Sequence, residues 1–253
     1  MRQKWTYDAG VIITIVFLIF RALFAVTPYG NATDCIYTII QTPLQSLTGN
    51  LPAFIIIILI AQLLWFFGIH GSMTVLPILF PIWLSYIGDN TAAMAAGKTI
   101  PHVLNIGLWD LANLGGSGAT IGLVILMFFK AKSNQYKSFG KLTLPCGIFS
   151  VNEPVIFGLP VILNPIMLIP FIICPIVLVC LGYALIQFGI VTAPIGILGL
   201  GSMPPLISGI MQGSLSWGIY QLVAVVISII IYYPFFKTID NQALAKEKGE
   251  QGE

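Results

Sequence analysis

Runs of apolar residues recur along the chain at about residues 9–27, 51–69, 72–88, 107–129, 171–193 and 215–236. Each is close to the ~20 residues a helix needs to cross the hydrocarbon of a bilayer. The runs are too long and too continuous for the alternating strands of a membrane barrel. Only 8% of the residues are charged, against about 25% in an ordinary soluble domain. The expected fold class is therefore an all-α polytopic membrane protein with about six transmembrane helices. A formal net charge of +2 gives no reason to expect nucleic acid as a partner.

The basic residues set the expected topology, because short cytoplasmic loops collect Lys and Arg. Arg2 and Lys4 precede the first run, and Lys130, Lys132, Lys137 and Lys141 share one loop. Lys237, Lys246 and Lys248 follow the last run. Segment 28–50 has no Lys or Arg and is expected outside, partly as a short interfacial helix. Both termini and the Lys130–Lys141 loop are expected in the cytoplasm. The chain divides into 1–50 (first span and external segment), 51–236 (transport region) and 237–253 (a charged, frayed cytoplasmic tail). The first run also carries Arg21, which must snorkel or face protein. Cys35, Cys146, Cys174 and Cys180 show no metal or redox spacing.

Against this apolar background the polar intrusions stand out. Asn152-Glu153-Pro154 lies within residues 142–170, where Pro145, Pro154, Pro160, Pro165 and Pro170 interrupt the chain. A carboxylate at bilayer depth costs roughly 2.5–3.5 kcal/mol on insertion scales and is usually kept for function. Broken backbone at that depth must pack in protein or line a cavity. The tract is therefore expected to be a re-entrant hairpin, with Glu153 a candidate proton acceptor. The other reading is a short surface helix capped by Asn152 and Glu153.

A second intrusion ends the second run, at Trp65-Phe66-Phe67-Gly68-Ile69-His70-Gly71. On a continuous helix Trp65 and His70 would point about 140° apart. A break near Gly68 would bring them together, and flanking glycines allow close approach of a ligand. The third run contains Pro77 and Pro81 and is expected to kink. The polar link 89–106 follows, with Asp89, Lys98 and His102. The fourth run opens with Trp109, Asp110, Asn113 and Gly115-Gly116-Ser117-Gly118, so its first half is expected to be unwound or water-lined. That glycine tract lacks the Lys-Ser/Thr of a phosphate loop and is more readily a hinge. Two histidines and few acids without characteristic spacing give weak grounds for zinc, and neither a metal nor a cofactor is expected. Uncharged donors, aromatic rings and one strong acceptor suit a small polar solute such as a carbohydrate.

Trp65–Gly71, Trp109-Asp110-Leu111-Ala112-Asn113 and above all Asn152–Pro160 resemble the membrane IIC component of the bacterial sugar phosphotransferase system, lactose/cellobiose (diacetylchitobiose) class. The resemblance implies a permease in the bacterial inner membrane that binds a disaccharide of the cellobiose, lactose or chitobiose type. It implies that His70 and Glu153 hold the hydroxyl to be phosphorylated, that Asn152 supports the carboxylate and that Trp65 lies beside the sugar. Gly71, Asp110 and Asn113 complete the expected substrate-binding set. The phosphoryl donor is a cysteine of a separate phosphorylated IIB component, so the acceptor side alone would lie on this chain. Family members commonly have ten spans, and this chain resembles their C-terminal part. The absent spans would supply most of a homodimer contact, which points to a split or truncated frame. An ion-coupled secondary sugar transporter and a non-functional remnant are the alternative readings.

Overall fold

The computed structural model describes residues 2–28, 30, 31, 49–159 and 163–250. Most of the expected interfacial segment within 28–50, and Pro160 of the hairpin, lie outside them. All regular structure among the described residues is helical. The chain forms two units, Met1–Thr48 and Gly49–Glu253. The first contains α1 (Arg2–Ala25), whose consecutive Ile15, Val16, Phe17, Leu18, Ile19 and Phe20 are all exposed. A helix that is apolar on every side suits a lipid environment.

The second unit begins with α2 (Leu51–Phe66), where the Asn50 side chain accepts from the Ala53 N–H. Gly68 ends α2 with φ +81°. The Gly68 N–H donates to the Trp65 carbonyl and the Ile69 N–H to that of Leu64, a Schellman pattern that satisfies the last carbonyls. α3 (Gly71–Ala95) starts three residues after Gly68, with Pro77 and Pro81 inside it. It is followed by α4 (Ile106–Ala112), α5 (Ile121–Lys130), α6 (Asn134–Ile148) and the short α7 (Glu153–Gly158). α8 (Pro165–Gln187), α9 (Ile207–Met211) and α10 (Leu215–Glu250) complete the unit. Among the described residues α3, α8 and α10 are long and apolar enough to cross a membrane. The whole of α2 and α5 and the Ile13–Ala25 part of α1 are shorter apolar helices.

The fourth apolar run is thus two helices joined by an unwound stretch, residues 113–120, which is almost wholly buried. Unwound backbone inside a membrane needs partners from the protein. Here Tyr232 Oη donates to the Gly118 carbonyl at 2.7 Å and Ser228 Oγ to that of Ala119 at 2.7 Å. Thr120 Oγ1 donates to the Gly115 carbonyl at 2.8 Å. α10 therefore serves as the wall on which this loop is fixed.

The C-terminal segment differs from the frayed tail expected from its charge. α10 continues without a break to Glu250. The reason lies at the start of α6, whose first N–H groups have no partner within the helix. Asp240 accepts from the Lys132 and Ser133 N–H groups and from Ser133 Oγ. Glu247 accepts from the N–H groups of Asn134 and Gln135. The two carboxylates hold the tail helix against the α5–α6 turn.

Candidate functional site

The break at Gly68 leaves His70 as the residue that caps α3. Its Nδ1 accepts from the Met73 N–H at 3.2 Å. In the neutral ring this assigns the proton to Nε2. Nε2 faces Glu153 Oε1 at 3.6 Å, too long for a hydrogen bond, and both side chains are partly exposed. A donor and a strong acceptor thus point at one place without being spent on each other. A hydroxyl between them would accept from Nε2–H and donate to Glu153.

Both groups border a cavity of about 340 Å³, together with Asp110, Asn113, Ser117 and Asn152. That size is within the usual range for small-ligand pockets. A larger cavity of about 630 Å³ is lined by Lys98, Thr99, Gln187 and Thr192 among apolar residues and glycines. It has no carboxylate or imidazole, so it offers no comparable acceptor.

Asn152 is 3% exposed, and its Nδ2 donates to the Ser117 carbonyl at 2.7 Å and to Thr120 Oγ1 at 3.1 Å. Its side chain makes no capping bond to α7. The Asn152 amide thus ties the start of α7 to the unwound stretch, instead of holding the Glu153 carboxylate directly. Gly116, φ +98°, lies flat against it: a Cβ there would collide with Asn152 Cγ, Cβ and Oδ1.

Trp65 is 2% exposed, and its ring centroid lies 4.1 Å from that of His70. It borders the cavity, but its main partner is the imidazole, so it braces His70 more than it offers an open platform. Gly71 does not line the cavity. A Cβ there would run into the Ala61 carbonyl, so Gly71 is the point where α3 crosses α2 at backbone contact. Asn113 is bound locally, donating to the Trp109 carbonyl at 2.8 Å and accepting from Ser117 Oγ at 3.2 Å. Asp110 borders the cavity, and its buried Oδ2 has no hydrogen-bond partner among the described residues. An orphaned acceptor beside a cavity is suited to a ligand hydroxyl.

A family model described as the phosphotransferase system, EIIC, matches residues 9–175. The chain belongs to this family. It is 38% identical over 238 residues to the lichenan permease IIC component of Bacillus subtilis (strain 168), covering 92% of this chain and 53% of that one. It is 36% identical over 199 residues to the lactose-specific EIICB component of Lacticaseibacillus casei, covering 74% of this chain and 33% of that one. The crystal structure of ChbC, the IIC component of the N,N'-diacetylchitobiose-specific phosphotransferase system, matches with a TM-score of 0.82 and 38% identity. That match covers 95% of this chain and 56% of ChbC. The chain spans about half the length of the lichenan permease component and of ChbC, and a third of the lactose-specific EIICB component.

For this EIIC chain the residues that sequence reasoning left out are the serines. Ser72 and Ser117 join through their hydroxyls at 3.1 Å, linking α3 to the unwound stretch. Ser150, φ +58°, accepts from the Gly115 N–H at 3.2 Å. The signal available was modest: Ser72 follows the His70-Gly71 break, and Ser117 sits inside a glycine tract read only as a hinge.

Proposed function

We propose that this EIIC chain carries the sugar-binding and translocating part of a disaccharide permease, in which a phosphorylated IIB component phosphorylates the bound sugar. The observation that carries the reading is the His70–Glu153 pair: two opposed, incompletely satisfied groups at 3.6 Å on the wall of a cavity. The names of the relatives support the substrate class, since they specify lichenan, lactose and diacetylchitobiose. The name EIICB, given to a relative much longer than the matched region, supports a IIB partner.

In the proposed reaction the sugar hydroxyl attacks phosphorus on the partner's phosphocysteine. The O–P bond forms, the P–S bond breaks, and the hydroxyl proton passes to Glu153. His70 Nε2–H fixes the same oxygen through the approach. Such transfers depend mainly on in-line positioning and charge stabilisation. The topology belongs to the same proposal: both termini, the α5–α6 turn and the first half of α6, which is helical where the basic cluster suggested a loop, are cytoplasmic, residues 142–170 enter and leave on one side, and the permease works as a homodimer.

The test is uptake of labelled disaccharide into proteoliposomes. Phosphorylated IIB should drive accumulation of sugar phosphate. Uptake driven by a proton gradient alone would replace this reading with an ion-coupled transporter.

A further inference from the structure

A second polar cavity, of about 200 Å³, lies where α5 ends and α10 leaves its apolar section. Lys130, Lys132 and Lys237 line it, with Tyr233, Asp240 and Asn241. All three lysines are exposed, and none has a carboxylate partner within ion-pair distance among the described residues. Asp240 is the one acid on the wall, and its oxygens are taken by the Lys132 and Ser133 N–H groups and by Ser133 Oγ. Three ammonium groups therefore face one carboxylate that is already occupied.

The surface above the cavity identifies the neighbour. On α10, Ile219, Val223, Val226, Ile230 and Tyr233 are exposed at helical spacing and form one apolar stripe. Lys237 continues that stripe one turn beyond Tyr233. On α5, Phe129 is 68% exposed and immediately precedes Lys130. An exposed apolar stripe on a membrane-crossing helix faces acyl chains, and an aromatic followed by lysine marks the headgroup level. The cavity thus opens at the foot of an exposed apolar wall.

We propose that Lys130, Lys132 and Lys237 form a binding site for the phosphodiester headgroup of an anionic phospholipid, whose acyl chains lie along the exposed stripe of α10. Tyr233 and Asn241 supply neutral hydrogen-bonding groups beside the phosphate. Because Asp240 also holds the start of α6, a lipid bound here would sit against the α5–α6 turn and the tail helix. The proposal does not depend on the sugar reading.

The full chain in detergent micelles would be titrated with phosphatidylglycerol and, in parallel, phosphatidylcholine, with bound lipid read by native mass spectrometry. Phosphatidylglycerol should bind preferentially. The triple variant K130Q/K132Q/K237Q should weaken it about a hundredfold, from roughly fivefold per lysine near a charged surface. The charge-matched variant K141Q/K246Q/K248Q should keep wild-type affinity. If the triple variant fails to fold, K237Q alone, on an exposed helix face, should still lose about fivefold. Equal weakening in both triple variants would show a diffuse electrostatic effect and overturn the site. Lysine-dependent binding of inorganic phosphate as tight as that of the lipid would overturn the lipid assignment. So would loss of phosphorylated IIB binding in K130Q/K132Q/K237Q with phosphatidylglycerol binding unchanged.

Discussion

Gly116→Ala should be among the most damaging single-methyl additions in the chain, although no charged or catalytic group is touched. Gly116 has φ +98°, a conformation that residues with a Cβ rarely adopt. Forcing such a backbone costs on the order of 1–3 kcal/mol. The new Cβ would also meet Asn152, which is 3% exposed and held by two hydrogen bonds, to the Ser117 carbonyl and Thr120 Oγ1. Displacing that amide would forfeit bonds worth about 1 kcal/mol each. Together these give a loss of roughly 3–5 kcal/mol, reduced where the hairpin can shift to make room. Thermal unfolding in detergent, compared with Gly116→Ala/Asn152→Ala and Asn152→Ala, separates the two causes. Asn152→Ala takes away Cγ and Oδ1 but leaves Cβ, so it should relieve part of the collision, and the double variant should be less destabilised than the two single changes added together. Strict additivity would refute the collision, and an unchanged melting temperature in Gly116→Ala would refute the whole description of the hairpin contact.

Gly71→Ala should separate α3 from α2, since the methyl meets the Ala61 carbonyl, and thermal unfolding together with disaccharide binding should show both stability and affinity reduced. Trp65→Ala should impair sugar binding more than Trp65→Phe, because the smaller aromatic still supports the His70 ring; equal titration curves for both variants and wild type would reject that role. Asp240→Ala removes three hydrogen bonds at the α5–α6 turn and should cost about 2–3 kcal/mol, visible as faster proteolysis of the tail beyond residue 236. Asp110→Asn should leave folding intact while changing disaccharide affinity, because the buried Oδ2 has no hydrogen-bond partner to lose among the described residues.

Much of the scaffold was legible because bilayer physics is strict. Apolar helices occur at each of the expected places, and the run holding Asp110 and Asn113 is interrupted as its polar residues suggested. The Trp65–His70 contact was legible for a local reason: a glycine between them could only matter by ending the helix. Long-range partners were not. Nothing near Asn152 in sequence shows that its amide reaches Ser117 and Thr120, and nothing near Gly71 points to Ala61. The tail was misjudged as frayed for the same reason, since Asp240 and Glu247 find their donors more than a hundred residues earlier. Charge alone suggested a solvated end, whereas unpaired N–H groups at the start of α6 supply its anchor.

The proposed function turns on whether Glu153 accepts a proton from the sugar, and phosphoryl transfer to Glu153→Gln tests this most directly. Gln keeps the size of the side chain and its carbonyl acceptor but removes the charge and the basic oxygen. In a permease reconstituted with phosphorylated IIB and disaccharide, transfer should fall by about 10²–10⁴, the usual range for a positioned general base, while sugar binding persists. Glu153→Asp should also be slow, since one methylene fewer widens a His70–Glu153 separation already at 3.6 Å. A wild-type transfer rate in Glu153→Gln would contradict the account.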